Sequence, residues 1–146
     1  MLKRQTVLVV DDNPRLVDSL ATVLRGCGLE VRTAHNGMQG YASYFHNPTE
    51  WVITDIEMPE LNGIDMVQCI RAIDASVKII YMTGAAEKYW ALLSQEARSF
   101  GAQILRKPFP FNRVIEMLAD KPRRQAKSAT ANLAEKSPSK TWSGCR

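Results

Sequence analysis

The chain has 146 residues, 45% of them hydrophobic, which suits one domain with a true core. No apolar run approaches the roughly 18 residues that cross a bilayer, and the start, Met1-Leu2-Lys3-Arg4-Gln5, lacks the apolar segment of a signal peptide, so a cytoplasmic protein with no membrane partner is predicted. The net charge of +4 is uneven: residues 1–119 carry 12 Lys/Arg and 13 Asp/Glu, a balance of −1, and residues 120–146 carry 7 and 2, a balance of +5, so the basicity argues for nucleic-acid contact only through the tail.

Thr6-Val7-Leu8-Val9-Val10 is an unbroken apolar run, expected to be a strand over 6–10 buried on both faces. It ends at Asp11-Asp12. Asn13 then suits a helix cap and Pro14 the first helical position. Leu16, Leu20, Val23 and Leu24 give the helix an apolar stripe that stops at Gly26 and Gly28. A second strand is expected at 30–34 and a second helix at about 37–46, before Pro48. Trp51-Val52-Ile53-Thr54-Asp55 is the third strand, with Met58-Pro59 close behind. The third helix carries Ile64, Val67 and Ile70-Arg71. A fourth strand spans 78–83 and ends at Thr83, with small Gly84 and Ala85 next. The fourth helix, about 86–99, carries Trp90, Leu93 and Ala97. The fifth strand, 102–106, runs into Lys107-Pro108, and the last helix, about 110–119, carries Val114, Ile115 and Leu118.

Five strand–helix alternations imply a doubly wound α/β domain with right-handed crossovers. Such sheets bind ligands beyond the carboxyl ends of their strands. Asp11, Asp12, Asp55, Thr83 and Lys107 all fall at such ends. Cys27, Cys69 and Cys145 form no CxxC pair and are too scattered for a disulfide framework. His35 and His46 are not spaced with other ligands for zinc. After Asp120, Lys, Ser, Ala and Thr dominate, and residues 121–146 are expected to be a basic, disordered tail or linker.

Carboxylates gathered in one place repel unless a cation joins them. A small set of hard oxygen ligands suits Mg²⁺ ahead of Ca²⁺. Asp55 is then a candidate nucleophile toward phosphorus, with Lys107 neutralising the transferred group and the Thr83 hydroxyl bonding one of its oxygens. Asp11 and Asp12 could instead only cap the first helix, but Asn13 fills that role.

Asp11-Asp12, Asp55 with Met58-Pro59 and Gly63, Thr83, and Lys107-Pro108-Phe109, in this order, closely resemble the receiver domain of two-component response regulators. The resemblance spans about residues 5–119 and makes 1–120 the expected receiver domain, similar to single-domain chemotaxis regulators. It implies a flavodoxin-like (βα)₅ fold with a five-stranded parallel sheet in the order 2-1-3-4-5. It implies that a sensor histidine kinase or phosphotransfer protein phosphorylates Asp55, with no other enzymatic activity than self-phosphorylation and autodephosphorylation there. Mg²⁺ would be bound by Asp12, Asp55 and the backbone carbonyl of Glu57, with Asp11 acting through water. Thr83 and Lys107 would hold the phosphoryl group, and the Lys107–Pro108 bond would be cis. Glu57 and Ala85 would border the path of the water that hydrolyses it. Output would pass through the face of the fourth helix, fifth strand and fifth helix, to a downstream protein or a second copy of the chain.

One position departs from that pattern. Where the family usually carries an aromatic three places before the lysine, this chain has Ile104, with a stiff χ1 and no ring to relocate. Weak coupling to the output face, or another route, is the expectation, with Tyr89 and Trp90 as substitutes. An aspartyl-phosphate phosphatase is the alternative, but its usual spacing of two acids after the first strand is broken by Asp11-Asp12-Asn13. A flavin-binding module would need a hydroxyl- and glycine-rich loop where these two acids stand.

Overall fold

The computed structural model describes residues 4–119. Its elements, in chain order, are β1 (Thr6–Val10), α1 (Pro14–Gly26), β2 (Glu30–Ala34), α2 (Gly37–His46), β3 (Trp51–Asp55), α3 (Gly63–Ile73), β4 (Lys78–Thr83), α4 (Trp90–Phe100), β5 (Gln103–Arg106) and α5 (Phe111–Ala119). The five strands are parallel and lie in the order β2-β1-β3-β4-β5. The alternation predicts this doubly wound arrangement, and the resemblance its flavodoxin-like strand order.

The sheet is a septum between two apolar layers. Val7, Val9, Ile53, Ile80 and Met82 face one side, where α1 and α5 bring Val17, Leu20, Leu24, Val114 and Leu118. Leu8, Val10, Val52, Ile79 and Tyr81 face the other, where α2, α3 and α4 bring Tyr44, Ile64, Val67, Ile70 and Leu93. Alternate strand residues point to opposite faces. A strand covered on both sides therefore has no polar face, which is why β1 and β3 read as continuous runs.

The helix starts follow local chemistry. The Asn13 side chain accepts from the backbone N–H groups of Arg15 and Leu16, Asn36 from Gln39, and Asn62 from Asp65. Each satisfies donors that the first turn leaves open. α4 is the exception: Tyr89 stands at its N-cap with no side-chain hydrogen bond. The expected start at 86 is overturned, since the helix begins at Trp90 and the residues before it form turns. Nothing in Ala85-Ala86-Glu87 can cap a helix there.

Two stripe residues also differ from expectation. Val23 is exposed, and Val17 and Ala21 share the buried face of α1 with Leu20 and Leu24. Trp90 is 58% exposed and leaves Leu93 as the buried apolar anchor of α4. Cys27 is free and exposed. Among the described residues no helix is long and apolar enough to cross a membrane. The basic segment from residue 121 lies outside the described residues.

Candidate functional site

Register brings the acids level. Val10 of β1 pairs with Thr54 of β3, so Asp11 and Asp55 come off neighbouring strands at the same height. Between β1 and β3 the strand order also reverses, opening the crevice where doubly wound sheets bind ligands. Thr83 pairs with Arg106, which puts Lys107 directly past the end of β5. The Lys107 backbone N–H donates to the Thr83 carbonyl at 2.8 Å, and the Lys107–Pro108 peptide is cis.

At this edge Asp11, Asp12 and Asp55 each offer a carboxylate oxygen, all within 4.8 Å of one another. Asp11 is fully buried. It accepts from the Asn13 backbone N–H at 3.0 Å and from the Lys107 ammonium at 2.7 Å. Asp55 is buried too. Its Oδ1 accepts from the Ile56 N–H at 2.9 Å and lies 3.4 Å from Lys107 Nζ. Asp12 is exposed, and it gives the cluster an open side.

The charges perturb one another. Burial, then repulsion from Asp11, pushes the Asp55 carboxyl up to about 6, against the pull of Lys107 and the Ile56 N–H. Burial works against the Lys107 ammonium, but its hydrogen bond to Asp11 and the two acids' charges outweigh that and raise its pKa. One lysine thus compensates a group of three carboxylates only in part. Such an excess of hard oxygen donors suits a divalent cation.

Backbone packing fixes Asp55. The Thr54 hydroxyl donates to the Asp55 carbonyl at 2.8 Å, and the Gly63 N–H donates to the Ile56 carbonyl at 2.8 Å. A Cβ on Gly63 would stand 2.0 Å from the Asp55 carbonyl oxygen, so only glycine lets α3 start this close to the strand. The Thr83 hydroxyl accepts the Ala85 N–H at 2.9 Å, which turns it along the loop at the edge of the site.

Glu57 leaves Asp55 in the opposite sense. Its exposed side chain accepts from Lys88 Nζ and from the Tyr89 hydroxyl, each at 3.0 Å, and the Lys88 bond first of all lowers its pKa. Tyr89 also packs, half-buried, against the same core layer as Ile104. Of the two substitute aromatics read from the sequence, Tyr89 is therefore the one in contact with the β3–α3 loop.

Sequence reading missed a second polar group. The Tyr81 hydroxyl donates to Glu96 Oε1 at 2.6 Å inside the core, and Arg71 Nη1 lies 2.7 and 2.9 Å from the two Glu96 oxygens. The only local signal was an acid three places after Leu93, on the buried stripe of α4.

The response regulator receiver domain model matches residues 7–119. The chain belongs to that family. Receiver proteins resemble it along most of its length. It is 34% identical over 94 residues to the DNA-binding response regulator MtrA of Mycolicibacterium smegmatis, covering 64% of this chain and 41% of MtrA. It is 32% identical over 127 residues to the transcriptional regulatory protein PrrA of Mycobacterium bovis, covering 86% of this chain and 53% of PrrA. The receiver thus spans about half the length of these curated relatives. Among solved structures, the response regulator TrrA of Thermotoga maritima in complex with Mg²⁺-BeF is 34% identical with a TM-score of 0.68, over 78% of this chain and 96% of TrrA. Nothing in these likenesses supports the phosphatase alternative.

Proposed function

We propose that this receiver takes a phosphoryl group on Asp55 from a phosphohistidine of a sensor histidine kinase or phosphotransfer protein. A carboxylate oxygen of Asp55 attacks phosphorus, the P–N bond breaks, and the imidazole leaves with the electron pair. The observation that carries this is the group of three carboxylates at the switch point with one ammonium, Lys107, beside Asp11 and Asp55.

Asp12, Asp55 and the backbone carbonyl of Glu57 would hold Mg²⁺, with Asp11 acting through water. When bound, the ion offsets the negative charge of the phosphoryl oxygens. Lys107 pairs with a phosphoryl oxygen in place of its present contact with Asp55, and the Thr83 hydroxyl donates to another. The phosphorylated and free forms differ in what they bind, and phosphorylation shifts the balance between two states. The α4–β5–α5 face is the surface offered to a downstream protein or a second copy. A cytoplasmic location and a basic segment 121–146 that serves as tail or linker complete this reading.

Incubation with acetyl phosphate and Mg²⁺ should add one acid-labile phosphate to the wild type and none to Asp55→Asn, read by intact mass. The same added mass on Asp55→Asn would refute Asp55 as the acceptor.

A further inference from the structure

α4 is held in an unusual way. Only Leu93 and Glu96 of its residues are buried, no side chain caps its start, and turns precede it. Half of its buried anchor is therefore a carboxylate. Directional hydrogen bonds, rather than apolar contact alone, set where this helix sits, and such an element belongs to the less stable part of a fold.

Glu96 ties α4 to two other elements. Tyr81 is wholly buried in β4 and stands two residues before Thr83, on the same pleat face of the strand. Its 2.6 Å bond to Glu96 Oε1 is short and charge-assisted, and burial, followed by the charge of Glu96, raises the phenol pKa. Arg71 of α3 meets both Glu96 oxygens through a single nitrogen, Nη1, while the Phe100 ring covers its guanidinium at 3.7 Å. The remaining donors, Nε and Nη2, are buried and find no hydrogen-bond partner among the described residues. An unmade buried hydrogen bond is costly. Arg71 can accept a carboxylate two ways, end-on through Nη1 as here, or along the edge that carries Nε and Nη2.

We propose that Tyr81, Glu96 and Arg71 form a two-position relay that passes the state of the Asp55 site from β4 to α4. When the Thr83 end of β4 moves toward an occupied Asp55, the Tyr81 hydroxyl moves with it. Glu96 follows and trades Nη1 for the edge donors of Arg71, which are then satisfied, and α4 shifts on α3. The relay supplies a route from the acidic pocket to the output face in a chain that carries Ile104 where an aromatic would otherwise couple the two. It rests on Asp55 being the phosphoacceptor. Glu96 and Arg71 act here as positioning residues and touch no reacting atom.

The test is hydrogen–deuterium exchange of the segment 90–100, with and without beryllium fluoride plus Mg²⁺ as a non-hydrolysing phosphoryl mimic. Acetyl phosphate labelling, read by intact mass, is run in parallel. In the wild type, exchange of this segment should change about fivefold or more on addition of the mimic. Tyr81→Phe removes one hydroxyl, and Arg71→Lys keeps the charge but loses the edge donors. Both should still be labelled on Asp55, and both should lose most of the α4 response. Leu93→Ala is the structural control: it should lower the melting temperature yet keep the response. Labelling without any wild-type α4 response would overturn the relay alone. So would a full response in Tyr81→Phe or Arg71→Lys, or a response lost equally in Leu93→Ala. No labelling of the wild type would overturn the phosphoacceptor reading, and the relay with it.

Discussion

In metal-free buffer Asp55→Asn should make the protein more stable, not less, and the gain should depend on pH. The wild-type carboxyl is pushed from 3.8 to about 6 by burial and by Asp11. Holding it charged at neutral pH costs about 3 kcal/mol by the linkage between pKa and free energy, and about 1–2 kcal/mol once solvent at the open, Asp12 side of the pocket is allowed for. The folded state grips this proton more tightly than the unfolded chain does. Between about pH 4 and about pH 6 it therefore binds more protons, and wild-type stability falls as pH rises. Below the unfolded value of 3.8 the penalty is absent; above about 6 it is complete.

Asparagine has no such proton, keeps nearly the same shape, and leaves the Asp11–Lys107 pair at 2.7 Å in place. Urea or thermal melts in EDTA at pH 4.5, 6 and 7.5 should show the variant gaining on the wild type across that range. At pH 7.5 the gain should be on the order of 5 °C in melting temperature. Added Mg²⁺ should close the gap by stabilising the wild type through mass action. A variant no more stable at pH 7.5, or two pH curves that run parallel, would refute the argument that the carboxylates share one under-compensated pocket.

Three further outcomes follow from the geometry. Gly63→Ala should cost about 1–3 kcal/mol in denaturant melts and slow labelling of Asp55, because the new methyl group meets the Asp55 carbonyl at 2.0 Å and the start of α3 must retreat. Lys107→Ala should push the Asp55 carboxyl above about 6 in an NMR titration, since Lys107 now holds it down, and should abolish labelling. Arg71→Met should cost about 3–5 kcal/mol by leaving Glu96 buried without its cation, while the triple variant Arg71→Met, Glu96→Leu, Tyr81→Phe should recover most of that loss; equal stability of the single and triple variants would contradict a buried ion pair.

The parts of this molecule that were legible in its sequence are those where cause and effect are neighbours in the chain. A strand buried on both faces must be apolar throughout, so β1 and β3 announce themselves. Asn13 before Pro14 marks a helix start because the donors it satisfies lie two and three residues away. Asp11, Asp55 and Lys107 each end an apolar run, and parallel register brings these run ends together. The misreadings have the opposite character. Val23 fits an apolar stripe but sits on its edge, and helical period alone places the start of α4 too early, where no side chain caps it. Tyr81, Glu96 and Arg71 carry no mutual signature at all, since a tyrosine in a strand and an acid on a helix each have commoner explanations. Their meeting is decided by how β4, α3 and α4 pack, a property of the fold and not of any segment. The same reasoning bears on Ile104. Losing an aromatic at one position removes one lever, but coupling needs only an element with two arrangements that the site can bias. A polar contact buried under a weakly anchored helix is such an element, and a substitution at 104 alone cannot report its absence.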